Sequence, residues 1–382
     1  MTRSSMKIAL DLRRIKNPGI GRYMRCLTEA LLVVAPEHEY LLVLPPDFAD
    51  TLHVPERGTK VEKSFTAARY YSIREQLELP RILRRHRVDL LHSPHFNIPL
   101  MSPCPVVATI HDVIYLACPE DLPSLAGRLY YSAMMRASVR MADQIITVSQ
   151  FSRDQISRFL KPRGSLEVIY SGVDSRFQPA HQDQIRAIRA KYEIAGEYIL
   201  YTGIFKPRKN HDGLLKAFRQ FVNLGGDATL VIAGPLAEGE AALRKLAEEV
   251  RIADRVVFTG FVDDADLPAI YSGASVYACP SLYEGFGLTV LEAMACGVPV
   301  VSSAETSLPE VAGAAALYAD ARSPEALGRA LYQVFTDEIL RANLILKGHK
   351  NVARFSWRNT AVQTVAVYEK AMASQPEKAV YA

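Results

Sequence analysis

The chain has 382 residues, 49% hydrophobic and 23% charged, which are the proportions of an ordinary globular protein with room for two domains. Its net charge of +4 is too weak, and too poor in basic stripes interleaved with aromatics, for a nucleic-acid binder. Five cysteines (Cys26, Cys104, Cys118, Cys279, Cys296) without a C-x-x-C pair argue against a disulfide frame or a zinc site.

No apolar run reaches the roughly 18 residues that a membrane span requires. Met1–Met6 leads into a strand without a signal-like apolar segment, so a cytoplasmic protein is expected. The charge is uneven: residues 1–175 hold 23 Lys and Arg against 18 Asp and Glu, and the remainder is close to neutral. That bias fits an anionic membrane surface or a phosphate-bearing acceptor.

Lys7–Asp11 reads as a buried strand, residues 13–21 as a loop, and Gly21–Val34 as an apolar-striped helix. Further strands are predicted at Tyr40–Leu44, Asp89–His92, Val106–His111, Gln144–Val148 and Leu166–Tyr170. Helices are predicted near Tyr70–His86, Ser124–Met141 and Gln150–Leu160. After Gly172-Val-Asp174 a second series begins, with strands at Tyr198–Thr202, Thr229–Ala233, Val256–Thr259, Ser275–Cys279, Pro299–Ser302 and Ala315–Tyr318. The polar stretch Gln178–Glu193 is expected to include the linker, and Trp357–Met372 is helical. Strands alternating with helices mean parallel, doubly wound sheets of about six strands in each half. There is no G-x-G-x-x-G, only Gly19-Ile-Gly21, so a nicotinamide dinucleotide has weak support.

One stretch concentrates chemistry. Pro280 closes a short apolar strand, Gly285 and Gly287 permit a sharp turn, and helix formers run from Leu288 to Cys296 before Gly297 and Pro299 stop them. The helix start offers free N–H groups and about half a positive charge, which suits a phosphate. Glu284 and Glu292 frame it, too far apart to share a helical face, so they meet different parts of one ligand. Carboxylates accept strong hydrogen bonds from sugar hydroxyls. Phosphate at the helix start with hydroxyls on either side describes a sugar nucleotide. An exposed helix residue at Glu292 and a loop charge at Glu284 explain the spacing equally well.

The string Glu284-Gly-Phe-Gly-Leu…Glu292 resembles the E-x7-E motif of retaining GT-B glycosyltransferases of family 4. Its continuation to Ser302, with Ser307-Leu-Pro-Glu-Val311, resembles the bacterial mannosyltransferase-like branch. The resemblance spans nearly the whole chain. It implies an α/β GT-B fold, two Rossmann-like doubly wound domains facing a cleft. Residues 1–174 would form the acceptor-side domain, with the helix 357–382 packing back on it, and residues 175–356 the nucleotide-sugar domain. The implied reaction moves a hexose, mannose from GDP-mannose, to a hydroxyl of a saccharide or lipid-linked acceptor, with anomeric retention. A nucleotide-sugar epimerase, a sugar phosphorylase and a non-catalytic nucleotide-sugar sensor are the rival functions.

The resemblance also assigns residues. Thr202-Gly203 leads into Arg208 and Lys209, which would hold the donor pyrophosphate; Ile204 replaces the Arg that some relatives carry after the glycine. Glu284, with the backbone of Gly285, Phe286 and Gly287, would hold sugar hydroxyls, and Glu292 the ribose hydroxyls. The N–H groups of Leu288 and Thr289 would face the leaving phosphate, and the backbone at Val262 the nucleobase. His111 would reach the reacting end of the donor sugar, with Asp112 orienting the imidazole or its loop, and the Gly19–Gly21 turn would lie beneath phosphate and sugar. Ser93–Pro99 is a loop facing the acceptor in this scheme, and Ser149 is most simply a helix cap. Two fixed cations replace a divalent metal, so no metal or other cofactor is expected. The arginine-rich segment Arg69–Arg87 fits either contact with anionic lipid on the inner membrane face or a solvated helix face.

Overall fold

Apolar runs such as Ile8-Ala-Leu10 and Tyr198-Ile-Leu-Tyr201 suit strands covered on both faces. In the computed structural model of the protein every strand pairing among the described residues is parallel. The structure describes residues 5–17, 19–48, 52–54, 58–68, 71–122, 124–235 and 239–374. They fall into two units, Met1–Gly172 with Phe355–Ala382, and Val173–Arg354. No helix among them is long and apolar enough to cross a membrane.

The first unit runs β1 (Lys7–Asp11), α1 (Ile20–Val34), β2 (Glu39–Leu44), β3 (Lys60–Phe65), α2 (Ile73–Arg85), β4 (Leu90–Ser93), β5 (Val106–Thr109), α3 (Ile114–Ala117), α4 (Leu125–Met141), β6 (Gln144–Thr147), α5 (Gln150–Leu160) and β7 (Leu166–Val168). Its sheet order is β3-β2-β1-β4-β5-β6-β7. The order reverses between β1 and β4, the switch point outside which ligands of such sheets bind. Leu41, Val43, Leu91, Ala108 and Ile145 from the strands meet Leu83, Met135 and Ile156 from the helices in one core.

Two expectations need correction. The sheet has a seventh strand, β3, whose sequence Lys-Val-Glu-Lys-Ser-Phe lacks an apolar run because it is an exposed edge strand. The helix predicted at Tyr70–His86 starts only at Ile73: Tyr71 is left-handed at φ 63°, and the Ser72 side chain caps the helix by accepting from the Glu75 N–H. Arg69 and Tyr70, named above, and residue 18 of the loop at 13–21 lie outside the described residues.

The second unit runs α6 (Gln182–Lys191), β8 (Tyr198–Thr202), α7 (His211–Asn223), β9 (Thr229–Ala233), α8 (Glu240–Glu249), β10 (Val256–Gly260), α9 (Leu267–Ser272), β11 (Val276–Cys279), α10 (Leu288–Ala295), β12 (Val300–Ser303), α11 (Leu308–Ala312), β13 (Ala316–Ala319), α12 (Pro324–Thr336) and α13 (Glu338–Val352). Its sheet, β10-β9-β8-β11-β12-β13, repeats the same winding, with the switch point between β8 and β11. The linker expectation at Gln178–Glu193 is also corrected. That stretch holds α6, which buries Ile185 and Ile188 within the second unit, and the division falls at Gly172/Val173 instead.

The last helix, α14 (Trp357–Ala373), belongs to the first unit. Its Tyr368 hydroxyl bonds His92 Nδ1 at 2.7 Å, and Thr360 donates to the Tyr170 carbonyl at 2.7 Å. Gly172 allows this approach, since a Cβ there would lie 2.2 Å from the Trp357 nitrogen. Residues 375–382 of the predicted 357–382 segment lie outside the described residues.

Candidate functional site

At the switch point of the second sheet, β8 and β11 end side by side, and the loops that follow them carry the charged residues. The two loops are pinned together by backbone. Leu282 N–H donates to the Arg208 carbonyl at 2.7 Å. Asn210, left-handed at φ 58°, directs its side-chain amide to the Pro280 and Ala321 carbonyls at 3.1 and 2.8 Å. These bonds bring Lys209 against Glu284, with Nζ 2.5 Å from Oε1 and only 13% and 12% of the two side chains exposed.

Burial would push the Glu284 carboxyl upward. The Lys209 and Arg208 charges, with hydrogen bonds from Lys209 and Ser281, outweigh it and hold the group below its ordinary value. Glu284 is therefore a carboxylate at neutral pH, able to accept from hydroxyls. Its own N–H is held by Thr306 Oγ1 at 3.0 Å, while Ser307 Oγ lies 2.9 Å from both the Glu284 and Phe286 carbonyls.

Beyond buried Gly285 and Phe286, Gly287 adopts φ 105° and opens α10, so the N–H groups of Leu288 and Thr289 begin the helix without intrahelical acceptors. The helix stops through a pair of bonds, Gly297 N–H to Met294 and Val298 N–H to Ala293, with Gly297 at φ 77°. Glu292, on this helix, is 3% exposed, which removes the exposed-residue alternative. Its Oε2 accepts from the Tyr271 hydroxyl at 3.1 Å. The two glutamates thus sit on separate hydrogen-bond partners.

Gly203 leaves no room for a side chain, since a Cβ would lie 2.6 Å from the Tyr201 hydroxyl. Val262 is buried, whereas its neighbour Phe261 is 65% exposed just after Gly260 turns the chain at φ 67°.

In the first unit, His111 follows β5. Its Nε2 donates to the Pro94 carbonyl at 3.0 Å, and the Tyr23 ring meets it edge-on at 4.7 Å. Burial is the largest influence and lowers its pKa, against the opposing pull of the Pro94 bond and Asp112. Asp112 is engaged with the loop: its Oδ1 accepts from the Ile114 N–H at 3.0 Å. Gly19 opens α1 at φ 76°, and Gly21 packs so tightly that a Cβ would lie 2.0 Å from the Ile15 carbonyl oxygen. Ser149 caps α5, accepting from the Ser152 N–H.

The Ser93–Pro99 loop, expected to face a ligand, is turned inward. His95 Nε2 lies 2.7 Å from Arg14 Nη1, and Asn97 bonds Glu75. Glu75 also meets Arg13 at 3.2 Å, and Arg13 grips Asp11 with two bonds of 2.7 Å. Buried charge of this kind fixes a loop through paired partners.

Sequence reasoning passed over Asn210, Tyr271, Thr306 and Ser307. Ser307 lies inside the motif string quoted above. Tyr271 carries no sequence signal, because only the fold brings α9 against α10.

Residues 19–177 match the glycosyltransferase family 4 domain, and residues 184–351 the glycosyl transferases group 1 domain. The O-antigen chain mannosyltransferase B of Escherichia coli is 33% identical over 381 residues, covering 95% of this chain and 100% of that protein. The serotype-specific mannosyltransferase WbdA of Escherichia coli is 30% identical over 282 residues, 72% of this chain and 34% of that longer one. Among solved structures, the sucrose-phosphate synthase from Thermosynechococcus elongatus superposes with a TM-score of 0.76 at 23% identity, covering 97% of this chain and 100% of that one. The Anabaena protein HepE in complex with UDP and glucose gives 0.74 at 20% identity, covering 95% and 99%.

Proposed function

Because the chain belongs to family 4 of the glycosyltransferases, the group 1 transferases, and has their GT-B fold, we propose that it is a retaining mannosyltransferase that uses GDP-mannose. The acceptor is a hydroxyl of a saccharide or a lipid-linked saccharide. The observation that carries this reading is the Lys209–Glu284 pair beside the start of α10 at the sheet's switch point.

As the glycosidic bond breaks, negative charge gathers on the departing diphosphate. Arg208, Lys209 and the N–H groups of Leu288 and Thr289 are fixed before that charge forms, so they stabilise it without reorganising. Glu284 holds sugar hydroxyls together with the Gly285–Gly287 backbone, Glu292 holds the ribose, and the backbone at Val262 meets the base. The first unit takes the acceptor side and the second unit the donor. His111, which burial keeps neutral, is assigned to the reacting end of the sugar, above the Gly19 and Gly21 turn. The leaving phosphate oxygen takes the proton of the attacking hydroxyl on the same face. Two fixed cations make a divalent metal unnecessary in this scheme.

Contact with anionic lipid on the inner membrane face fits α2, where Ile73 is 83% and Leu77 52% exposed beside Arg74 and Arg81. Binding to vesicles that contain anionic lipid, and none to neutral vesicles, checks this part.

The main test is calorimetric titration with GDP, UDP and ADP, with and without chelator, followed by product analysis with GDP-mannose. Tight GDP binding that survives chelation, and α-linked product, are expected. Preference for UDP or ADP removes mannose and keeps the transferase. Donor turnover without any acceptor replaces transfer by epimerisation or hydrolysis, and binding without turnover leaves a sensor.

A further inference from the structure

We infer that Tyr271 is a positioning residue for Glu292, held by a one-way hydrogen-bond chain that starts at Tyr277 on β11. The inference rests on the proposed donor site, in which Glu292 meets the ribose. Three hydroxyls from three elements are involved. Tyr271 on α9 donates to Glu292 Oε2 at 3.1 Å, and its oxygen lies 2.7 Å from Thr202 Oγ1 at the end of β8. Thr202 Oγ1 lies 3.1 Å from the Tyr277 hydroxyl on β11. All three are buried.

Proton counting sets the direction. A carboxylate only accepts, so Tyr271 commits its single proton to Glu292 and must accept from Thr202. Thr202 then accepts from Tyr277. No link can reverse without leaving a buried group facing a partner of its own kind. Chains of this sort polarise along their length and hold one arrangement. The carboxylate plane of Glu292 is thereby set by residues that never touch the ligand. Tyr277 remains a phenol, because burial raises it far above neutral pH.

Changing the hydroxyl chain should alter ribose recognition and leave the base and the diphosphate otherwise untouched.

The test compares whichever of GDP, UDP and ADP binds most tightly with its 2′,3′-dideoxy counterpart. Wild-type protein and the Tyr271→Phe, Tyr277→Phe and Glu292→Gln variants are titrated with both. Tyr271→Phe keeps the ring and removes the hydroxyl, and it should weaken the ribonucleotide roughly tenfold while leaving the dideoxy analogue unchanged. Tyr277→Phe should give the same pattern with a smaller loss. Equal weakening of both ligands, or no change in either, overturns the positioning role even if thermal stability falls. Glu292→Gln separates the levels. If it abolishes the preference for ribose and Tyr271→Phe does not, the inference fails alone; if Glu292→Gln has no effect on that preference, the ribose assignment fails first. Should Tyr271→Phe not fold, Thr202→Val interrupts the same chain from β8 and must show the same ribose-only loss.

Discussion

Lys209 and Glu284 stand 75 residues apart in sequence and 2.5 Å apart in space, each almost withdrawn from water. Such a pair is uneven in its energetics. Forming it gains little against a solvated reference, but removing one partner strands the other charge. Lys209→Met should therefore destabilise the second unit by about 2 kcal/mol, less than a fully enclosed pair because some exposure screens it. Glu284→Gln strands the Lys209 charge in turn, so it should also lose up to about 2 kcal/mol of stability, while it keeps most of its donor affinity and loses turnover by roughly a hundredfold. Urea unfolding and steady-state kinetics on the two variants check this, and near-wild-type turnover of Glu284→Gln would sink the assignment of that carboxylate.

The same pair sets an acid limit. Glu284 titrates below its ordinary value of 4.5 in the folded protein, so its contribution is fully present above the unfolded value and disappears as pH falls through the folded one. Stability measured from pH 6 down to pH 3 should fall less steeply in Glu284→Gln than in wild type. An identical slope in both proteins would show that Lys209 does not hold the carboxylate.

Arg208 offers a planar fork where Lys209 offers a point charge already engaged by Glu284. Arg208→Ala should weaken nucleoside diphosphate binding about tenfold or more and leave the corresponding nucleoside unchanged. Calorimetry with GDP and guanosine separates the two, and equal losses for both would move Arg208 away from the phosphates.

Much of this was legible in the chain because both sheets are built from short apolar runs between glycine or proline stops. Ile8-Ala-Leu10, Val300-Val301 and Ala278-Cys279 announce strands, and Gly287 and Gly297 bracket α10. What escaped is set by tertiary contact. The edge strand β3 is too polar to signal itself, and α6 reads as a linker because only Ile185 and Ile188 face inward. The partner of Glu292 was unreadable because Tyr271 reaches it across two helices. The inward turn of the Ser93–Pro99 loop depends on Arg14 and Glu75, both distant in sequence.

Thr306 is a β-branched residue at φ 59°, where side chains of its kind are strained by about 1–2 kcal/mol. It sits there to place Oγ1 on the Glu284 N–H. Thr306→Val keeps the strain and removes the bond, whereas Thr306→Gly removes both. Both variants should turn over more slowly, but the valine variant should be the less stable by about 1 kcal/mol. Chemical denaturation and turnover measured together decide it; full activity in Thr306→Gly would mean that the Glu284 loop holds itself.

His92 lies under α14, bonded to Tyr368 on one nitrogen and to Thr109 Oγ1 at 2.9 Å on the other. Burial, with a smaller push from His111, lowers its pKa from 6.5 to about 3, so the folded protein keeps it neutral while the unfolded chain takes up a proton. Its contribution is fully present above pH 6.5 and is lost progressively as pH falls toward 3, at a slope of about 1.4 kcal/mol per pH unit for a group titrating only in the unfolded state. His92→Gln retains a donor and an acceptor without a titrating ring. It should cost stability at pH 7 yet flatten the decline between pH 6 and pH 4. Tyr368→Phe should leave that slope in place while destabilising by about 1 kcal/mol. Unfolding curves of the three proteins at pH 7, 5.5 and 4 give the comparison, and parallel pH profiles for wild type and His92→Gln would show that the imidazole is protonated alike in both states.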